Sequence, residues 1–255
     1  MFGTIIVDAY RESEARDIAS ALDELCNPSD NWGWSSAGVY CFWKYADREV
    51  LYIGLARDFT ERFRQHNGQV PYPAGSCKRE RIAAYFAEHE RLGFSIVAQS
   101  PYAQPVGRRF LESFGTDSDE VAAIYGPLGA HGLEGAQILE GKLIEAFRQH
   151  AGRFPAWNER GGSVAGQAGV EPLTAQTLEV LTSKADSLMR ARLTLRRLAA
   201  DSTAMIFESH VHAARMLAAA LDGDVIAAMR MIPDSDGSQR RMADNGYLYQ
   251  PAENP

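Results

Sequence analysis

Hydrophobic positions along this chain repeat with a helical period in some stretches and an extended one in others. In residues 12–26, ESEARDIASALDELC, Ile18, Leu22 and Leu25 fall on one helical face, and Asn27-Pro28-Ser29-Asp30 breaks the run. The runs Gly38-Val39-Tyr40-Cys41-Phe42-Trp43-Lys44 and Glu49-Val50-Leu51-Tyr52-Ile53-Gly54 are dense in aromatic and β-branched residues. The short polar link 45–48 between them predicts a β-hairpin. Asp58 then stands as the N-cap of a helix over 59–66, ended by Asn67-Gly68. A Gly- and Pro-rich loop, 67–77, leads to a predicted helix 78–91 and a strand 93–99, which adds a third strand to the hairpin.

Farther on, a charged helical turn near 117–125 meets a Gly126-Pro127 breaker, and 133–150 predicts a helix with Ile138, Leu139, Leu143, Ile144 and Phe147 along one side. Phe154–Asn158 closes this unit, and the four glycines of 159–172 read as a linker. Beyond it, Leu178, Leu181, Ala185 and Leu188 repeat helically, and a second helix is predicted from about 201 to 221, giving an antiparallel pair. The expected division is an N-terminal helical extension (1–37), a compact domain (38–158), the linker (159–172), a helical C-terminal segment (173–232) and a loosely held polar tail (233–255). The fold class is α+β: a small, mainly antiparallel three-stranded sheet flanked by helices, followed by helices.

Composition adds limits. A chain of 255 residues, 45% hydrophobic and 23% charged, reads as a soluble globular protein. It shows neither a signal peptide nor a run of about 20 apolar residues, so no membrane is expected as a partner. Cys26, Cys41 and Cys77 are an odd set without metal-type spacing, which predicts reduced buried thiols, no disulfide, no zinc and a cytoplasmic location.

The net charge of −7 argues against a nucleic-acid partner, but its distribution argues for one. Residues 38–109 hold eleven Lys and Arg against seven acids, whereas 1–37 and 110–255 are both net acidic. The one positive stretch is also the one that carries the hairpin.

On that hairpin stand Gly38-Val39-Tyr40 and, after eleven intervening residues, Tyr52-Ile53-Gly54. Arg62 follows eight residues after Gly54 on the next predicted helix, and His66 lies one turn further on the same face. Glu140 lies on the 133–150 helix, and Pro155-Ala156-Trp157-Asn158 ends the unit. This ordered set resembles the GIY-YIG nuclease superfamily, its restriction-endonuclease-like branch in particular because of the Arg62/His66 pairing and the insertion at 67–92. The resemblance implies metal-dependent endonucleolytic cleavage of DNA, with RNA or branched DNA as other substrates, in a restriction or phage-defence setting. A homodimer is the matching assembly, since cutting both strands of a palindrome suits a two-fold axis.

The chemistry asks for the same residue types. Phosphodiester hydrolysis needs a base for water, positive charge on the phosphoryl oxygens and help for the leaving oxygen. Arg62 offers a planar, permanently charged fork, and Glu140 a hard oxygen ligand for Mg2+ or Mn2+, with Glu145 as the fallback. By the resemblance, Tyr40 is the general base, Tyr52 positions nucleophile or phosphate, His66 relays a proton to Tyr40, and Asn158 orients water or the glutamate. Leu55 occupies the place where many members carry a lysine, leaving Arg57 as its substitute.

Lys44, Arg57, Arg64, Lys78 and Arg79 are the expected nucleic-acid contacts. Arg190, Arg192, Arg196 and Arg197 read as a solvated or acid-paired face, with Asp186 and Asp201 nearby. His210 and His212 point to different helix faces. Trp32 and Trp34 are core or loop anchors, or platforms for bases. The rival to an enzyme is a nucleic-acid-binding or protein-interaction module that keeps the fold without turnover.

Overall fold

The computed structural model describes residues 3–29, 33–71, 78–107, 110–111, 118–218, 221 and 224–255. Its elements run β1 (Thr4–Tyr10), α1 (Ala15–Leu25), β2 (Gly38–Lys44), β3 (Val50–Ala56), α2 (Phe59–His66), α3 (Arg79–Glu88), β4 (Leu92–Ala98) and α4 (Ser118–Ala151). They continue with α5 (Val164–Ala168), α6 (Pro172–Leu181), α7 (Leu195–Ala199), α8 (Ser202–Ala218), α9 (Val225–Met231) and α10 (Ser238–Asp244). Trp32 and Cys77 lie outside the described residues, as does most of the 67–77 loop.

The fold is α+β, but the sheet has four strands in the order β1-β4-β2-β3, all pairs antiparallel, rather than the expected three. The extra strand is β1, within the segment read as a helical extension. All seven of its residues are buried. A short strand buried on both faces has no alternation to reveal it, and Asp8 in its middle disguises it further. Asp8 is admissible there because Arg196 of α7 donates to it from Nη2 at 3.0 Å.

Side chains alternate across the pleat and sort into two cores. Ile6, Tyr10, Tyr40, Phe42, Phe94 and Ile96 face α1, α2 and α7, meeting Ile18, Leu22, Phe59, Phe63 and Leu198. Ile5, Val7, Val39, Cys41, Trp43 and Ile53 face α4 and α6 through Leu143, Ile144, Phe147 and Leu181. Each such fully buried side chain contributes roughly 1.5–3 kcal/mol.

The helical stretch near 117–125 and the helix at 133–150 are one helix, α4, and Gly126-Pro127 does not break it. Small residues there serve packing. A Cβ on Gly129 would lie 2.4 Å from the Gln104 carbonyl oxygen, and one on Gly132 would lie 2.4 Å from the Ala103 Cβ, so the 103–105 segment presses directly on the helix.

The 159–172 segment carries α5, whose Gly166 leaves no room for a Cβ against the Ile138 carbonyl and Gly141 of α4. The 233–255 tail is also bonded to the body. The Glu253 amide donates to the Arg192 carbonyl at 2.8 Å, the Ala252 amide to Asp186 at 3.1 Å, and Tyr45 donates to the Pro255 carbonyl at 3.0 Å.

Cys26 and Cys41 are buried free thiols, and burial raises both above the ordinary thiol value. Among the described residues, no helix is long and apolar enough to cross a membrane.

Candidate active site

The hairpin register sets the site. Tyr40 pairs with Gly54 and Phe42 with Tyr52, so Tyr40, Tyr52 and Gly54 share one face near the β3 edge of the sheet. Gly54 is demanded by close approach, because a Cβ there would sit 2.7 Å from Tyr40 Oη and 2.6 Å from Tyr52 Cε1. Gly54→Ala is therefore expected to displace one of the two phenols and to cost about 100-fold in the activity proposed below. A nicking assay beside a circular-dichroism melt reads this, and an alanine variant cleaving like the wild type would refute it.

Helix α2 begins where the strand ends because Asp58 accepts the Glu61 amide at 2.9 Å. Four residues apart, Arg62 and His66 project together toward Tyr40. Tyr40 Oη lies 2.6 Å from His66 Nε2, and Arg62 Nε donates to it at 3.3 Å. The Tyr40 and Tyr52 rings stand side by side, their centroids 5.8 Å apart. Gln65, which the sequence reading missed, accepts from Arg62 Nη1 at 3.0 Å and donates to Glu61 at 3.2 Å, fixing the guanidinium. Its three-residue spacing from Arg62 was the available signal.

Burial raises the Tyr40 phenol well above its ordinary value, Tyr52 adds to this, and Arg62 opposes it. Burial also raises Tyr52, while Tyr40 and Arg62 pull it down.

His66 is pushed down to about 3 by burial, then by Arg62 and Lys78, and is neutral at physiological pH. His212, buried behind the sheet, is also pushed down to about 3, by burial and then Arg215. Both groups titrate near 6.5 in the unfolded chain, which therefore binds more protons than the folded one below that pH. Stability is intact above about 6.5 and falls as the pH drops toward about 3, by about 1.4 kcal/mol per pH unit for each histidine. Urea melts at pH 7 and pH 5 check this, and coincident midpoints would refute it.

Glu140 comes in from α4. It is half-buried, accepts the Leu55 amide, and lies close enough to Tyr52 for its charge to raise that phenol. Burial raises its own value, and the Leu55 bond opposes this. Glu145 is used elsewhere: Arg148 clasps both its oxygens at 2.7 Å, and these bonds, with that of Gln149, pull it down to about 2.

Among the described residues no three His, Cys, Asp or Glu side chains gather as a metal cage. Glu140, desolvated and without an ion pair among those residues, fits an ion held by one carboxylate with water and phosphate oxygens completing the shell.

Asn158 is not at the hydroxyl cluster. Its Oδ1 accepts the Ile53 amide at 2.9 Å and its Nδ2 donates to the Ile53 carbonyl at 2.8 Å, so its amide completes the outer edge of β3 instead of orienting water. Between Tyr52 and Gly54, this clasp holds the strand that carries both.

The expected nucleic-acid contacts divide. Lys78 Nζ stands 5.0 Å from the Tyr52 ring centroid, and the Lys78 amide donates to His66 Nδ1 at 2.9 Å. Arg57 is exposed on a groove of about 800 Å3 shared with Glu61, Gln104 and Leu133. Arg64 lines a separate groove with Arg16 and Gln69, and the Arg79 guanidinium lies over Gly68. Lys44 is four residues from Tyr40 along β2, about 13 Å away, and pairs with Asp47 at 3.3 Å.

With this geometry, the chain matches no family model, no curated protein and no solved structure. Other residues singled out in the sequence have partners within the body of the fold. Arg190 and Arg192 are buried, Arg192 beside Asp186, and Arg196 pairs with Asp8 and Glu14. His210 stands 3.4 Å from Asp236 while His212 bonds to Thr4 at 2.8 Å, so the two serve different partners. Trp34 is buried, edge-on to His212.

Proposed function

We propose that this chain is a GIY-YIG-type, metal-dependent endonuclease that hydrolyses phosphodiester bonds in DNA. The observation that carries the reading is the meeting of two tyrosine side chains, the Arg62 guanidinium and the Glu140 carboxylate beside one strand edge, from four separate elements.

Each requirement of the reaction has a group of the right chemistry. A phenol of the Tyr40–Tyr52 pair takes the proton of water, and the positive charge that such a base needs comes from Arg62 and Lys78. Arg62 also meets the charge that grows on the phosphoryl oxygens. Glu140 would hold Mg2+ or Mn2+, which supplies charge neutralisation for phosphate and leaving oxygen. Lys78, directly after the 67–77 loop, brings an ammonium to Tyr52, where Leu55 leaves none. A restriction or phage-defence role and a homodimer belong to the same proposal and rest on the resemblance alone.

The test is incubation of the full chain with supercoiled plasmid and Mg2+ or Mn2+, with Arg62→Ala and Glu140→Ala in parallel. Nicking lost in both variants supports the enzyme. Nicking that persists in both points to a contaminating nuclease. Salt-sensitive binding without nicking supports a non-cleaving nucleic-acid module.

A further inference from the structure

The hairpin turn carries a guanidinium with nothing to bond. Arg48 ends the link between β2 and β3, its amide donating to the Lys44 carbonyl at 2.9 Å, and its φ is 62°. That is the left-handed region, where glycine costs less than any long side chain. The guanidinium lies 4.7 Å from the Trp43 ring centroid and 4.8 Å from that of Tyr45. Both rings are pinned: Trp43 donates to Ser95 Oγ at 2.8 Å, and the Tyr45 hydroxyl accepts from Arg91 and donates to the Pro255 carbonyl. On this platform the fork has no hydrogen bond and no carboxylate partner among the described residues, and its Nη1 is buried. A buried N–H without a bond costs enough that folds seldom keep one unless an ion or water takes it.

The fork borders a cavity of about 230 Å3 on the α4–α6 side of the sheet, the face opposite Tyr40. Lys184 lines it, as do the apolar side chains of Val50, Phe147 and Leu178. So do two carboxylates, of which Glu49 is bonded to Arg153 and Glu179 is exposed. Among the described residues only Arg48 and Ser183 are non-glycine positions with positive φ, 62° and 59°, and Thr182 and Lys184 on either side of Ser183 line this same cavity. Backbone held in that region at two places around one cavity is a pattern of ligand clamps. Nor is Arg48 needed at the end of α6. The last carbonyls of that helix are already taken, Leu178, Glu179 and Val180 by the amides of Thr182, Lys184 and Ser183, and Leu181 by Ser95 Oγ.

We propose that this cavity binds a small organic anion, an oxyanion head, carboxylate or phosphate, on a short apolar body. The head takes the N–H groups of Arg48 and the ammonium of Lys184, and the body lies against Val50, Phe147 and Leu178. The volume is below the roughly 300–1,000 Å3 of drug-sized sites, which suits a single substituted ring or a short acid. The site stands apart from the nuclease reading, and neither depends on the other.

Isothermal titration of the full chain with phenyl phosphate, benzoate and neutral benzyl alcohol, at fixed ionic strength and without metal, tests the proposal. At least one of the anions is expected to bind with a Kd below about 1 mM and at least about 10-fold more tightly than the alcohol. The better of the two distinguishes a phosphate head from a carboxylate. Arg48→Gly is expected to weaken this binding by about 10-fold or more while melting close to wild type, since glycine relieves the left-handed backbone. Lys184→Gln, which leaves the hairpin turn untouched, should lose about 5-fold and reads the same site even if the Arg48 variant fails to fold.

Anions that bind no better than the alcohol overturn the proposal, as does wild-type affinity in both variants. Binding that is lost in Arg62→Ala and kept in Arg48→Gly and Lys184→Gln assigns the anion to the cutting centre, which overturns the cavity site and leaves the nuclease reading standing.

Discussion

Arg62→Ala is expected to lower metal-dependent plasmid nicking by about 10³-fold. The expectation follows from the position of the guanidinium. It reaches Tyr40 Oη and Gln65 from a half-buried position on α2, while the packing of that helix rests on Phe59 and Phe63. Alanine therefore removes charge from the site and leaves the helix in place, so the thermal midpoint should move little. Glu140→Gln, which keeps shape and removes the anionic ligand, is expected to lose activity on the same scale and to resist rescue by added Mn2+. Rates within about three-fold of wild type for either variant would remove the physical basis of the nuclease reading.

Arg215→Ala should destabilise the protein by about 3–5 kcal/mol, seen as a lower urea midpoint. Arg215 and Glu208 are 1% and 0% exposed and bond at 2.7 Å. Around them the Arg192 amide and Tyr247 hydroxyl donate to Glu208, at 2.8 and 3.0 Å. Arg215 donates to the carbonyls of Leu188 and Arg190 and to Thr4 Oγ1. Alanine would leave a buried carboxylate without its counter-charge and take a donor from each of three acceptors. Because the two charges share one network, the double variant Glu208→Leu/Arg215→Met should lose less than the sum of the two single changes. A single-variant loss under about 1 kcal/mol would show that the cluster is hydrated and weak.

Local grammar was legible in the chain. The hairpin and α2 were readable because their signals are contiguous: aromatic alternation, then Asp58 as a cap whose side chain does meet the Glu61 amide. Other features depend on partners distant in sequence. β1 gives no contiguous signal, because the group that makes Asp8 tolerable, Arg196, lies 188 residues away. The acid partners of the arginine cluster include Asp8 and Glu14, far upstream, whereas Asp201 caps α8 through the Ala204 amide.

At the candidate site, Arg62 was found by its place in the motif order and His66 by its helical spacing from Arg62. The Lys78 amide on His66 and the Asn158 clasp on Ile53 were not, since each joins a backbone group to a side chain across an intervening loop or helix. Pattern reading sees side-chain types and their periods. It does not see which main-chain groups a fold leaves to be filled.

Both margins of the sheet are occupied by the chain itself. At β1, the Ile5 amide donates to the Met189 carbonyl and the Ala191 amide to the Ile5 carbonyl, while at β3 the side chain of Asn158 takes both backbone groups of Ile53. At each margin these bonds interrupt the row of main-chain groups that a strand from outside would need. Two copies of this chain would have to displace these contacts before their sheets could join edge to edge, whereas a pairing through helix surfaces would leave them in place.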